Sequence, residues 1–240
     1  MTPRTKEQNE EIRLRRLAQI RKAAADVFLN KGSLLEIRDV AIEAGLGYGT
    51  VYHYYSNKGD LLHDLLWDAL ERVGGAPVDP HTSTSGEEPA NGPLAFASAV
   101  DTRNLAVADF QSGSHETTAS AELGPVAAAS VRLLQLWAED HALYLLYKLA
   151  LEGFTSLPEA RSTKLTAAFQ DEVIAPFAAL MDTGHAADED AASGGNVAKQ
   201  PYRLQRAEML LAALVGCASL SMRREKLYEE ARDIVRFLKL

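Results

Sequence analysis

The 240-residue sequence predicts an all-α protein, with an N-terminal three-helix unit holding a helix-turn-helix and a larger helical domain behind it. Three observations point there. Apolar residues recur three and four positions apart along most ordered-looking segments, the spacing of one face of an α-helix. Residues 37–62, IRDVAIEAGLGYGTVYHYYSNKGDLL, read as a helix, a glycine turn, a short aromatic helix and a new helix start. A content of 47% hydrophobic and 24% charged residues is that of a soluble globular chain with enough apolar mass for a core.

The first helix is expected from near Ile12 to about Asn30, because Leu17, Ile20, Ala24, Val27 and Phe28 share a face and Lys31-Gly32 supplies a stop. Arg13, Arg15, Arg16, Arg21 and Lys22 lie on the other face, where with Arg4 and Lys6 they could follow a phosphate backbone or simply be solvated. In the second helix Ile37, Val40 and Ala41 form the apolar stripe, and Gly45 stands where a helix ends in a left-handed conformation. Leu46 and Val51 can plug the hinge, which pins the third helix by its apolar side. Tyr48, Thr50, Tyr52, His53 and Tyr54 remain, a dense set of hydrogen-bonding side chains suited to phosphates and base edges. Two other readings stand beside this one. Gly-Leu-Gly-Tyr-Gly at 45–49 could be mistaken for a dinucleotide loop, although no strand pattern precedes it and Thr50 replaces the last glycine. A helical pair with surface tyrosines could also be merely structural.

Residues from about Ile20 to Leu62 resemble the N-terminal DNA-binding domain of the TetR family of bacterial transcriptional repressors. The resemblance rests on Ala24, Phe28 and Gly32, then Asp39-Val40-Ala41 and Ala44-Gly45, then Gly49-Thr50-Val51-Tyr52, Tyr55, Asn57-Lys58 and Leu61-Leu62, in family order. Beyond this first quarter only the helical character is shared. Gly47 and Tyr48 depart from the family's usual hydroxyl cap and its following polar residue, and glycine caps a helix less well than serine. Leu35-Glu36 replace the hydroxyl residues that commonly open the second helix and touch a phosphate.

The resemblance implies a division into a DNA-binding domain at 1–62 and a helical ligand-binding and dimerisation domain at 63–240. A helix carrying Leu61, Leu62, Leu65, Leu66, Ala69 and Leu70 should join them. Residues 74–93 break every periodicity and read as a linker, followed by alanine-rich helical segments near 94–111, 121–138, 140–156 and 159–181. A polar insert at 182–200 precedes a last pair of helices at 202–225 and 227–240. In that pair Leu204, Leu211, Leu214 and Ala218, with Ile234 and Leu238, are expected to meet a second copy. Met209, Leu210, Ala213 and Cys217 add more apolar surface than one buried stripe explains, and Ala212 with Gly216 permits close helix approach. Burial of that helix within a single chain is the alternative.

Residues 1–60 hold ten Lys or Arg against eight Asp or Glu, and the remainder fifteen against twenty-five, so only the N-terminal part suits a phosphate backbone. The single cysteine, Cys217, rules out an internal disulfide framework and a multi-cysteine zinc site and fits a reducing cytoplasm. The charged start lacks a secretory apolar stretch, and no apolar run reaches the roughly twenty residues of a membrane span. A search for catalytic chemistry finds nothing coherent. His115-Glu116-Thr117-Thr118-Ala119 starts like a zinc helix without its second histidine, and Asp140 reads as a helix cap. No catalytic residue, metal or cofactor is expected.

Trp137, His141, Tyr144, Tyr147 and Phe154 are the candidate lining of a ligand pocket, with an ordinary core as the alternative. For DNA the expected contacts are Tyr52, Tyr54 and Lys58 on phosphates, Tyr48, Gly49, Thr50 and His53 near bases, and Arg38 on the second helix. The sequence is thus read as a homodimeric transcriptional regulator, a repressor released from a double-stranded operator by a small-molecule effector. A helical small-molecule enzyme or carrier with a vestigial helix-turn-helix is the runner-up, and a DNA-binding protein tuned by a protein partner a third possibility.

Overall fold

The computed structural model describes residues 6–74, 123–183 and 196–240. Among these residues every regular element is helical and no strand occurs. The expected helix at 94–111, the linker at 74–93 apart from Gly74, and residues 184–195 of the second insert lie outside them. The chain divides into two compact units, Met1–Ala69 with Asp140–Leu165 and Leu70–Glu139 with Thr166–Leu240.

In the first unit α1 spans Lys6–Lys31, starting earlier than Ile12 because its charged opening supports itself. Arg13 pairs with Glu10 at 2.7 Å and Arg15 with Glu11 at 3.0 Å, contacts between neighbouring turns that stabilise an exposed helix. Its inner face, Ile20, Ala23, Ala24, Val27 and Phe28, is buried, and α1 packs on α2 (Ile37–Glu43) and on α6 (His141–Leu151). Gly32, at φ +59°, turns the chain into a short 3-10 segment, Gly32–Leu34. The α2 helix ends at Gly45, φ +62°, where the Leu46 N–H donates to the Ala41 carbonyl at 2.9 Å and the Gly45 N–H to Ile42 at 3.0 Å. That hydrogen-bond pair closes a helix on a left-handed residue, which glycine adopts without a Cβ clash. The turn delivers α3, Tyr48–Tyr54, whose Val51 is fully buried against α2. Next, α4 (Lys58–Gly74) is capped by Asn57, whose Oδ1 accepts the Asp60 N–H at 2.9 Å. Asp140 caps α6 as expected, accepting the Ala142 N–H at 3.0 Å.

The second unit contains α5 (Pro125–Glu139), α8 (Ala175–Thr183), α9 (Asn196–Met222) and α10 (Leu227–Phe237). α5 and α9 each pack on α8 and α10, and α5 packs most extensively on α10. The sequence predicts one uninterrupted helix at 159–181, but the chain forms α7 (Glu159–Phe169), a five-residue π segment (Gln170–Ile174) and then α8. Pro176 supplies the reason. It has no N–H for the Glu172 carbonyl and its ring crowds that oxygen, so the ladder widens, and the Ala175 N–H reaches back to Gln170. Helices also enter the polar insert at both ends: α8 runs to Thr183, and α9 starts at Asn196 rather than just after Pro201.

The last two helices require a correction of face. Leu211, Leu214 and Ala218 on α9 are at most 1% exposed, and Ile234 on α10 is also buried, so this stripe fills the protomer's own core instead of facing a second copy. Leu204 and Leu238 are half-buried. The surplus apolar surface lies on the opposite side, at Met209, Ala212, Gly216 and Leu220, and on α10 at Tyr228 and Phe237. A mixed turn links the two helices, with Ser221 Oγ donating to Glu230 at 2.6 Å and Arg224 pairing with the same carboxylate at 2.8 Å. No described helix is long and apolar enough to cross a membrane.

Candidate nucleic-acid interface

Helix α3 is held from one side only. Val51 and the following Tyr55 are buried, while Tyr48, Gly49, Tyr52 and His53 are exposed and Thr50 and Tyr54 half-buried. All the residues expected to contact DNA on this helix therefore share one short element, with Tyr54 and Thr50 the least accessible. The Tyr48 and Tyr52 rings lie 5.6 Å apart with a 30° tilt, and His53 meets Tyr54 edge-on at the same distance. Both pairs restrict side chains that would otherwise sample several rotamers.

Gly49 lies within α3, where glycine costs about 1 kcal/mol relative to alanine. Apart from its chain neighbours and the backbone of its own helix, no protein atom lies within 4 Å of the position a Cβ would take there, so packing within the chain does not demand the glycine.

An open groove of about 550 Å³ runs beside α3. Tyr48 and Tyr52 form one wall, and Glu36, Arg38, Ser56 and Lys58 supply its polar groups. Arg38 is exposed, as expected of a DNA contact. Lys58 is exposed too, with its ammonium donating to the Ser33 carbonyl at 2.9 Å, which steadies the side chain and leaves further N–H groups. Glu36 brings a carboxylate into the same groove, the opposite of what a phosphate prefers. Nearby, the Lys31 ammonium, 2.6 Å from Asp39, is the main cause holding that carboxyl below its ordinary range, and the Glu36 backbone N–H adds to it.

Behind α3 lies a network that sequence reasoning missed. Arg21 Nε donates to Asp64 at 2.8 Å and its guanidinium also binds Asp68, while the Tyr55 hydroxyl donates to the same Asp64 carboxylate. Burial opposes the Arg21 charge, but the Asp64 hydrogen bond and the two carboxylates outweigh it and raise its pKa. Burial, followed by the bond to Asp64, raises the Tyr55 hydroxyl. Arg21 is thus committed to α4 and unavailable to the DNA backbone, whereas Arg16 and Lys22 remain exposed. The sequence signal was present in Asp64 and Asp68, one turn apart on α4.

The five candidate pocket residues are not brought together within one unit. Trp137 belongs to the second unit, and His141, Tyr144, Tyr147 and Phe154 to the first. The four aromatics other than His141 are at most 2% exposed. His141 is half-exposed, with Nδ1 2.6 Å from Asp26 on α1. A second groove, of about 70 Å³, is lined by Phe28, Leu35, Leu62 and Ser156 among others, and by none of the five. Among the described residues no three His, Cys, Asp or Glu side chains converge as for a metal ion.

Residues 20–65, which hold this turn, α3 and its groove, match the family described as bacterial regulatory proteins, tetR family. This N-terminal segment therefore carries the DNA-binding domain of that family. No protein of curated function matches the sequence. Among solved structures, a bacterial regulatory protein in the tetR family from Rhodococcus RHA1 is similar to this chain at a TM-score of 0.53 and 16% identity, over 93% of each chain. The fatty acid degradation regulator FadR from Bacillus halodurans is similar at 0.51 and 16% identity, over 92% of this chain and 96% of its own. The transcriptional regulator FadR from Bacillus subtilis, in complex with stearoyl-CoA, is similar at 0.50 and 14% identity, with the same coverage. At such identities the likeness speaks to the fold alone, along nearly the whole chain.

Proposed function

We propose that this DNA-binding transcriptional regulator is a homodimeric repressor, which places two copies of α3 in successive major grooves and leaves the operator when a small molecule binds its C-terminal part. Tyr52, Tyr54 and Lys58 position α3 on phosphates, and Arg38 reaches the DNA from α2. Tyr48, Gly49, Thr50 and His53 lie nearest the bases. The second copy docks on the outward faces of α9 and α10. Effector binding changes the setting of α4, which begins directly after α3 and ends in the second unit.

The observation that carries this reading is Gly49, a glycine inside an exposed helix with open space where its side chain would be. A residue that weakens its own helix and fills no gap within the chain is accounted for by a partner that must come close. Gly49→Ala should therefore act with opposite signs on stability and binding. The melting temperature should rise by about 2–4 °C for about 1 kcal/mol, while affinity for a duplex selected from genomic fragments should fall at least about tenfold. If Gly49→Ala binds as the parent does, α3 is not against the bases. Stearoyl-CoA, held by the Bacillus subtilis FadR structure, is the first probe for release, since the chain's own residues do not name the effector.

A further inference from the structure

The recognition helix YGTVYHY carries no Arg, Lys, Asn, Gln, Asp or Glu. This is a chemical restriction on what it can read. Guanine is normally held by Arg or Lys on O6 and N7, adenine by Asn or Gln on N6 and N7, and cytosine N4 by a carboxylate. None of these pairings is open to α3. Besides the His53 imidazole, it offers the ring of Tyr48, the bare backbone of Gly49 and the methyl and hydroxyl of Thr50. Tyr48 is 52% exposed and propped by Tyr52, so its ring is presented to a partner with little freedom left to lose. Such a surface complements one feature of the major groove, the thymine C5-methyl, with the adjacent O4 accepting from a hydroxyl.

We propose that α3 reads thymine methyl groups through Tyr48, Gly49 and Thr50, and that Arg38 supplies the guanine contact of the half-site from α2. The operator half-site is therefore an A·T block with thymine methyls facing α3, flanked by guanine where Arg38 reaches. Arg38 is suited to this because it shares the groove with Tyr48 and Tyr52, is exposed, and is the one cation in α2 and α3 apart from a protonated His53. Lys58 in the same groove is tied to the Ser33 carbonyl and remains with the phosphates. The proposal rests on the reading of the chain as an operator-binding regulator.

The test begins with selection of duplexes from a random-sequence pool by the full-length protein at fixed salt. Each thymine of the enriched half-site is then replaced by deoxyuridine, which deletes only the C5-methyl, and affinity is measured by fluorescence anisotropy. Two or more positions per half-site should each lose about fourfold, the worth of about 0.8 kcal/mol per buried methyl. In Tyr48→Ala, with its melting temperature recorded as a control, discrimination between thymine and deoxyuridine should disappear at one of those positions. Tyr48→Phe should retain it. Arg38→Lys should relax the guanine preference and leave the deoxyuridine effects unchanged. The proposal is overturned if deoxyuridine is tolerated at every position, or if Tyr48→Ala discriminates as the parent does. A pool that yields no enriched sequence overturns the regulator reading itself, and the proposal with it.

Discussion

Glu36 is the residue that most directly sets affinity against charge. Its carboxylate shares a groove with Arg38 and Lys58, so a phosphate entering there meets two cations and one anion. At separations of a few ångströms in water a like-charge pair costs about 1 kcal/mol, and salt reduces that cost. Glu36→Gln should consequently tighten binding to any duplex by about fivefold at low ionic strength, with the gain shrinking as salt rises. The backbone N–H of residue 36, which binds Asp39, is retained in the variant, so α2 should keep its start. A salt series of binding isotherms checks this, and equal affinities at every salt would place the phosphate path elsewhere. Leu35-Glu36 stand out in the sequence as a departure from the expected hydroxyl pair. The sequence could not show that Leu35 turns inward while Glu36 stays exposed, because that depends on the 3-10 segment after Gly32.

At the scale of single elements, α4 carries a measurable titration. His63 stacks on Trp67 at 5.9 Å, and burial, followed by the Arg161 charge, lowers its pKa against the smaller opposing pull of Asp64 and Asp60; Lys164 acts in the same direction as Arg161. The folded state therefore disfavours protonation of His63 relative to the unfolded chain. Its contribution is present above the unfolded pKa of about 6.5 and is lost as pH falls through the lower folded value. Between about pH 7.5 and 5.5 the parent's melting temperature should drop further than that of His63→Gln, and parallel profiles would show that His63 titrates normally.

The helices themselves were largely legible. Ile20, Ala24, Val27 and Phe28, Val40 and Ala41, and Leu61, Leu62, Leu65, Leu66, Ala69 and Leu70 are buried as their spacing indicates, and Gly45 ends a helix as expected. What spacing cannot supply is the identity of the surface that covers a stripe. Leu211 and Leu214 were expected to meet a second copy and meet their own protomer instead. Spacing also does not show that the aromatic cluster is divided, with Trp137 in one unit and Tyr144, seven residues on, in the other. Arg21 reads as part of the basic face because its partners Asp64 and Asp68 lie more than forty residues away in sequence.

For the whole molecule, the two faces of α9 separate assembly from folding. Leu220 is 60% exposed and Leu214 fully buried. If the outward face makes the dimer, Leu220→Asp should sediment as a folded monomer with an unchanged helical spectrum. Leu214→Asp should lose its fold, because an unpaired carboxylate in the core costs several kcal/mol. A Leu220→Asp protein that stays dimeric would move the interface away from α9.

The pair between Asp26 and His141, at 2.6 Å, and that between Asp60 and Arg161, at 2.5 Å, bear on which part of this chain can be transplanted. Both bind the N-terminal helices to a segment more than one hundred residues downstream, and α6 also packs along α1. A graft of residues 1–62 into another regulator would leave that side of α1 against a foreign surface. The transferable module is discontinuous, residues 1–69 together with 140–165. A fusion of these two pieces through a flexible linker should melt cooperatively, and the 1–69 fragment alone should melt broadly and at lower temperature. Equal melting of the two would mean that the recognition module carries its own stability, and that engineers could swap it as a single stretch of sequence.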